Sequence, residues 1–569
     1  MKKVISMILI TAMMIVSLAG CGSKGTSDTK KEETKGKTET TGNAETSKEV
    51  ITVSILMHGI SQMSGVQNDP VTKAIEEKLG IKMDIISTSG MDVTTELNAL
   101  IASDDLPDIV VGITPEQRQL LIDSEQIISL DDLVANKGGE ITGKKAGQKA
   151  LDYSKKYYSN DSGQLYFINM RAGEDFNAGF PTVAPYIRWD IYNQIGSPEI
   201  KNMDDLLNVL KQMQDAYPET EDGKKVYAIS GCLADPSWNT FSLTAAEAFI
   251  GFRKLDNYGL SGTMTSNVTE YINAMDTSDS PTWQIFKFFN KAYQMGILDP
   301  DSVTMKYDQW AEKIMAGQVL YVPFGWYATT PLMEDENKTF LPVKFESFEN
   351  DSFTCSYAYS QGGASYAISK NCKSPERAME LLNYAWSYEG AMMFVNGIQG
   401  ENWDMVDGVA QLLDTYVAGL VEGNVEGPLF TTFFGPYMNE ETNTPINLTN
   451  STEYFEKYKR TGVVKEYCDV YGIAAPIENY SSAKYHVWDE AWERGVEAYT
   501  GDLKEIDINV QNYVLTNLPK MVLAASNDEF ETMRLKFMDD INAMGAQKLY
   551  EGRKGNYETT VQEVLNLSK

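Results

Sequence analysis

Ile51 to Met57 opens with alternating apolar and polar residues and is β-branched at Ile51, Val53 and Ile55, a pattern that predicts a strand. Asp69 to Leu79 repeats its apolar positions at helical spacing, and Ile81 to Ile86 reads as a second strand. A short apolar run, Asp108-Ile109-Val110-Val111-Gly112, follows Pro107. Strand, helix, strand, helix, strand is the order of a parallel sheet with helical crossovers. A second set begins at Gln164 to Ile168 and continues through Tyr186 to Trp189, the amphipathic stretch Asp204 to Met213 and the strand-like Val226 to Ser230. A third pairs the strand-like Ala364 to Ser369 with a helix starting at Ser374-Pro375-Glu376, where Ser can cap and Pro can take the first helical position. That helix puts Ala378, Leu381, Leu382 and Ala385 on one face. There is no short-period repeat.

The beginning of the chain follows another pattern. Lys2 and Lys3 precede an apolar run from Val4 to Val16 and then Leu18-Ala19-Gly20-Cys21. A cationic start, a short apolar core and small residues at a cleavage point are the marks of a secretory signal; a bilayer-spanning helix needs about 20 apolar residues. Residues 22–49 hold six Lys and six Asp or Glu, with no aromatic, Val, Ile or Leu. They cannot bury enough apolar area to offset chain entropy and are expected to form a tether. The remainder, 50–569, exceeds the roughly 250 to 300 residues that one core supports, so at least two lobes are expected.

Charge narrows the range of functions. The formal charge is −31, from 49 basic and 80 acidic residues, and the neutral tether leaves it on the folded body. Such a surface repels nucleic acid and anionic lipid. After Cys21 the cysteines are Cys232, Cys355, Cys372 and Cys468, without a Cys-x-x-Cys pair, and the histidines are His58 and His486. That spacing offers no zinc site; one disulfide or buried free thiols fit equally well. Gly138 to Lys144 has phosphate-loop spacing, but Lys145 stands where a hydroxyl would bind magnesium and no strand precedes it. Gly363-Ala364-Ser365-Tyr366-Ala367 starts like a nucleophile elbow and lacks the closing Gly. A serine triad would need His58 or His486, and a glycosidase carboxylate pair cannot be located among 80 acidic residues. No pattern calls for a catalytic residue, a metal or another cofactor. Aromatics say more: 31 Tyr and 9 Trp supply flat apolar faces with polar handles, which suit sugar rings. Trp238, Trp326 and Trp403 lie beside turn residues, whereas Trp386, Trp488 and Trp492 lie in helical patterns and are assigned to cores.

Several of these segments are shared with a known family. Leu18-Ala19-Gly20-Cys21 resembles the lipobox of bacterial lipoproteins, which implies acylation of Cys21 and attachment at the outer face of the cell membrane. Leu106-Pro107-Asp108-Ile109, Ile187-Arg188-Trp189-Asp190, Met315-Ala316-Gly317-Gln318-Val319 before Gly325-Trp326, and Ser374-Pro375-Glu376-Arg377-Ala378-Met379 with Ser387-Tyr388-Glu389-Gly390 occur in an order that resembles the extracellular solute-binding proteins of bacterial ABC importers, the large sugar-type lipoproteins. The resemblance implies an α/β, two-lobed periplasmic-binding-protein-like fold with discontinuous lobes joined by hinge strands, closing on a ligand. Transferred to this chain, lobe one is 50–168 with 342–404 and lobe two is 169–341 with 405–569. It implies capture of a carbohydrate, an oligosaccharide, for the permease subunits of an ABC importer, by a monomer held to the membrane through its N-terminal lipid, with no enzymatic step. Trp326 is the expected stacking platform, with Tyr327, Trp238 and Trp403 as further aromatics. His58, Asn169, Arg171, Tyr186 and Arg188, at strand ends, are expected to face the ligand. Tyr217 to Lys224 matches the position of a calcium loop in relatives but lacks the alternating Asp and Asn pattern. The alternatives are a peptide or other polar solute, a surface glycoside-active enzyme, and a sugar sensor coupled to a membrane receptor.

Overall fold

The computed structural model describes residues 49–567 except 59–63, 89–92, 113–114, 175, 182, 236–249, 257–258, 265–266, 330–337, 345–356, 359–364, 423–424, 426–432 and 481–498. Cys21, Trp238, Cys355, His486, Trp488 and Trp492 lie outside the described residues, as does the side chain of His58.

The first sheet has the strand order Gly65–Val66, Ile81–Thr88, Ile51–His58, Ile109–Gly112, Ser365–Ile368, Ile168–Asn169. Ile51–His58 pairs in parallel with Ile81–Thr88 and with Ile109–Gly112, as the order of strands and helices predicts. The crossover helix Pro70–Leu79 starts on Asp69, whose carboxylate accepts the N–H groups of Val71 and Thr72, and ends on Gly80 in the left-handed conformation at φ 65°. The Leu-Pro-Asp-Ile segment has a mechanical role. Asp108 accepts both the backbone N–H and the hydroxyl of Ser54, at 2.9 and 2.8 Å, and so fastens the third parallel strand to the first.

Ser365–Ile368 returns antiparallel between Ile109–Gly112 and Ile168–Asn169. The helix Pro375–Trp386 then buries Ala378, Leu381, Leu382 and Ala385 completely. Ser374 precedes it without a side-chain capping bond, so its cap is positional only. Both faces of the sheet are covered. Val53, Ile55, Met57, Ile109 and Val111 join one core with Trp386 and Phe434, while Leu56, Val110 and Ala367 face the other way with Tyr153 and Tyr557.

The second sheet has the order Phe340–Pro342, Val183–Arg188, Val319–Phe324, Tyr227–Ile229. Val183–Arg188 runs antiparallel to both neighbours, and Val319–Phe324 runs parallel to Tyr227–Ile229. Every residue of the two central strands is buried, so they read as continuous apolar runs. Leu206, Leu207, Leu210 and Met213 of the helix Met203–Ala216 pack there, with Trp283 and Trp310.

The expected boundaries shift in the second half of the chain. Leu412, Tyr416, Phe433, Tyr437 and Leu448 belong to the core of the first sheet, whereas Val510, Leu518, Phe537 and Leu549 belong to that of the second. The final helix, Ala546–Leu567, sends Tyr557, Val561 and Val564 into the cluster beneath Leu56 and Val110. Residues 405–569 therefore do not form one block with 169–341. Within Gly138 to Lys144 the residues Gly139–Thr142 form a single helical turn, and Lys144 is engaged by Glu140 at 2.8 Å, not poised over a phosphate site. Cys372 and Cys468 are free thiols and Cys232 is buried. Among the described residues, no helix is long and apolar enough to cross a membrane.

Candidate functional site

Leaving the edge strand Ile168–Asn169, the chain crosses toward the second sheet alongside a second segment. Arg171 donates its N–H to the carbonyl of Phe434 and Ala172 donates to Gly435, each at 2.7 Å, while Tyr437 donates back to Ala172 at 3.0 Å. Arg171 holds a left-handed backbone, φ 56°, which is sparsely populated for a residue with a side chain and concentrates at functional positions. Its guanidinium lies over the Tyr437 ring, 5.7 Å from the centroid. Gly435 is required for this approach, since a Cβ there would stand 2.2 Å from the Trp386 ring.

Two adjoining cavities flank the paired segments and share Asn450. The smaller, about 130 Å³, is lined by Arg171, Phe176, Val395, Phe434, Tyr437, Pro445, Asn447 and Asn450. The larger, about 370 Å³, is walled by Asn177, Gly179, Phe180 and Pro181, by Gly325 and Trp326, and by Thr449, Asn450, Tyr454, Phe455 and Lys459. The two linings draw on different cores: Val395, Phe434 and Tyr437 of the smaller cavity pack with the first sheet, Phe180 and Phe455 of the larger with the second. The site therefore lies where the chain passes between the two sheets.

The larger cavity is built as an aromatic box with amide corners. Phe180 and Phe455 meet edge to face at 5.7 Å. Trp326, 36% exposed, stacks on Phe324 with centroids 4.0 Å apart and planes 16° off parallel. One face of its indole is thus supported while the side chain still borders the cavity. Gly325 lets the chain pass Pro181, because a Cβ would come 2.2 Å from the Pro181 carbonyl oxygen and 2.8 Å from the Tyr186 hydroxyl. Asn177 accepts the N–H of Gly179 at 2.9 Å, and Ala178 donates to the Asn450 carbonyl at 3.0 Å, tying the two segments across the cavity. The wall also contains a π-helical turn, Phe455–Lys459, closed by a bond from the Arg460 N–H to the Phe455 carbonyl at 2.8 Å. Burial holds the Lys459 ammonium below the usual lysine range.

Of the expected ligand contacts, Trp326 and Arg171 line the two cavities. Four others lie behind the walls. Tyr186 is fully buried and donates its hydroxyl to the Pro181 carbonyl, bracing the wall from outside. Arg188 is fully buried and forks onto Asp190 at 2.8 and 2.7 Å. Asn169 is buried, accepting from the Ser365 hydroxyl at 3.0 Å. Tyr327 is 5% exposed, its hydroxyl 3.2 Å from that of Tyr307 and its pKa raised far by burial, so it supports Trp326 from within the core. Trp403 sits on the hairpin of Trp403–Val406 and Val409–Leu412, its indole N–H bound to the Gly397 carbonyl at 3.0 Å, away from both cavity linings. In the Tyr217 to Lys224 stretch, Asp222 is engaged by Lys224 at 3.0 Å and Glu221 by Lys338 at 2.6 Å. The sequence reading passed over Phe180, Tyr437, Asn450, Phe455 and Lys459; the Phe433-Phe434-Gly435 turn and the recurring Asn from 439 to 450 are the signals that mark their segment.

The sequence pattern of the bacterial extracellular solute-binding proteins matches residues 71–412, more than half of the chain. Solved structures share the architecture over most of their length. A human-milk-oligosaccharide (HMO) binding, ABC-transporter-associated protein of Bifidobacterium longum infantis superposes with a TM-score of 0.61 at 14% identity, covering 91% of this chain and 99% of that one. The N-glycan transport solute-binding protein of Streptococcus pneumoniae gives 0.56 at 16% identity, covering 91% and 100%. The S. pneumoniae ABC-transporter protein FusA, in complex with kestose, gives 0.58 at 13%, covering 90% and 100%. No curated protein matches the chain.

Proposed function

The chain belongs to the family of bacterial extracellular solute-binding proteins, and from that premise we propose that it captures an oligosaccharide outside the cell and delivers it to the permease of an ABC importer. One observation carries the carbohydrate reading. Trp326 offers an indole supported from behind by Phe324 at the edge of a cavity of about 370 Å³ whose other polar groups include the amides of Asn177 and Asn450. An aromatic platform with amide donors and acceptors around it meets both halves of a sugar, its apolar ring face and its hydroxyl rim. The structural relatives named for milk oligosaccharides, N-glycans and kestose agree with that chemistry.

The first lobe is assigned to residues 50–172 with 365–448, and the second to 180–343 with 455–549, following the side chains that share each core. Closure would turn on the crossing segments that line the site, and a ligand favours the closed form only by binding it more tightly than the open one. Cys21 would carry the lipid that keeps the protein, a monomer, at the outer face of the membrane. No covalent step is assigned to the site.

A thermal-shift screen of the purified protein against mono- and oligosaccharides, short peptides and divalent ions tests this, with recovered ligand checked for cleavage. A ligand at 100 times its Kd adds about 2.7 kcal/mol to apparent stability. Stabilisation by an intact oligosaccharide supports the proposal. Stabilisation by peptides alone, or recovery of a cleaved sugar, refutes it.

A further inference from the structure

The final helix, Ala546–Leu567, is one continuous rod that serves two cores. Its first turn buries Ala546 and Leu549 with the second sheet, where the Leu549 carbonyl accepts the Tyr499 hydroxyl at 2.7 Å. Its later turns send Tyr557, Val561 and Val564 into the cluster of Leu56, Val110, Tyr153 and Phe167 on the first sheet. There Glu563 pairs with Lys156, on the helix Lys145–Tyr157, at 3.0 Å. The small sheet of Phe252–Lys254, Ser261–Met264 and Asn267–Asn273 divides likewise, with Phe252 in the second core and Val268 and Tyr271 in the Leu56 cluster. Tyr557 donates its hydroxyl to the Val268 carbonyl at 2.9 Å and Tyr550 to the Tyr271 carbonyl at 3.2 Å, which joins helix and sheet into one piece. Building on the two-lobed closure put forward above, we propose that this piece is a counter-latch: its packing on the first lobe holds the cleft open and so sets the affinity for the ligand from outside the site.

The direction follows from the face each contact occupies. Val395, Phe434 and Tyr437, which line the smaller cavity, belong to the core on one face of the first sheet. The helix packs on the opposite face, with Leu56 and Val110. The crossing chain leaves from Ile168–Asn169, the strand at the sheet's edge. A second lobe that turns about that edge toward the cavity face withdraws from the other face, so closure on a ligand parts or slides the helix contact. Trp326 is 36% exposed in the arrangement where that contact is complete, as an accessible site requires. Contacts made in one arrangement and lost in the other bias the equilibrium between them, and a ligand that binds the closed form is weakened in proportion to how rarely that form is populated.

Small-angle X-ray scattering of the intact protein without ligand tests this, comparing the parent with Val561→Ala/Val564→Ala. The truncated variant should have the smaller radius of gyration. Val564→Ala alone should shift the same way by less, and it carries the test if the double variant melts below the working temperature. Titration calorimetry with kestose and lacto-N-tetraose adds a second reading: a probe that binds the parent should bind the truncated variant about fivefold more tightly, although no residue of the site has changed. Lys156→Cys/Glu563→Cys, joined by a short bismaleimide, should do the reverse and weaken the same probe. A folded truncated variant whose radius of gyration equals or exceeds the parent's overturns the counter-latch, as does one that binds the probe no better than the parent. If neither sugar binds any of the proteins, the choice of ligand fails while the scattering comparison still decides the role of the helix.

Discussion

Removing the indole of Trp326 should weaken oligosaccharide binding by about 30-fold. The side chain is 36% exposed because its other face is covered by Phe324. A tryptophan side chain has about 250 Å² to bury, so the available surface is on the order of 90 Å². At about 25 cal/mol per Å² a sugar covering it gains about 2 kcal/mol, a factor of about 30 in Kd. Titration calorimetry of Trp326→Ala against the best oligosaccharide measures the loss directly. Trp326→Phe, which retains a ring on Phe324, should recover part of it. The substitution also strips the partner of Phe324, so melting of the unliganded variant must be followed in parallel to separate a damaged fold from a lost platform. A Trp326→Ala protein that melts like the parent and binds within twofold of it would refute the stacking role.

Gly325→Ala should destabilise the fold by about 1–3 kcal/mol and distort the cavity, because the added methyl meets the Pro181 carbonyl oxygen at 2.2 Å; chemical denaturation measures it. Gly435→Ala should be at least as harmful, since its Cβ would enter the Trp386 ring at 2.2 Å, and its melting temperature should fall below that of Gly196→Ala, where the added methyl meets open space and the strain is that of a left-handed backbone at φ 88° alone. Tyr186→Phe should cost about 1–3 kcal/mol by leaving the buried Pro181 carbonyl without its donor, and should weaken sugar binding although Tyr186 does not line the cavity. Burial pushes the Cys372 thiol up to about 12 from its ordinary value of 9.0, which leaves on the order of one thiolate in a thousand at pH 9. Alkylation of that residue, followed by peptide mass mapping, should be slow in the folded protein and fast in denaturant. By the same shift, Cys372 contributes stability that is complete below pH 9 and is lost as pH rises toward about 12.

The first sheet was legible because its signals are local: alternation in Ile51 to Met57, the Asp69 cap with Gly80 after the helix, and the Pro107-Asp108 entry each act within a few residues. Tyr186 and Arg188 stand outside both cavity linings for a definite reason. Ligands gather at the carboxyl ends of parallel strands, and Val319–Phe324 obeys that rule by delivering Gly325 and Trp326. Val183–Arg188 is antiparallel to it, with Val183 opposite Phe324 and Ile187 opposite Tyr321. Its amino end therefore abuts the cavity, through Phe180 and Pro181, and its carboxyl end points away. Strand direction is a property of pairing and leaves no mark in a run buried on both faces. Residues 405–569 were given to one lobe because an amphipathic helix states that one face is buried without stating against what; Tyr557 and Phe537 look alike in sequence and serve different cores. The segment 434–459 was missed for another reason. It contains short bridges and a π-turn, and no hydrophobic period runs through it.

The bond from the Ala178 N–H to the Asn450 carbonyl ties together the two segments that pass between the sheets, so that the passage is two-ply. A single linker would let one half of the molecule swivel, tilt and slide against the other. Two tied strands bend more readily out of their common plane than they shear within it, because shear would break the hydrogen bond between them while bending only tilts it. If the lobes open as proposed, that tie would favour one coordinate, a jaw angle. The residence time of a sugar bound there would then report the rate at which that angle opens.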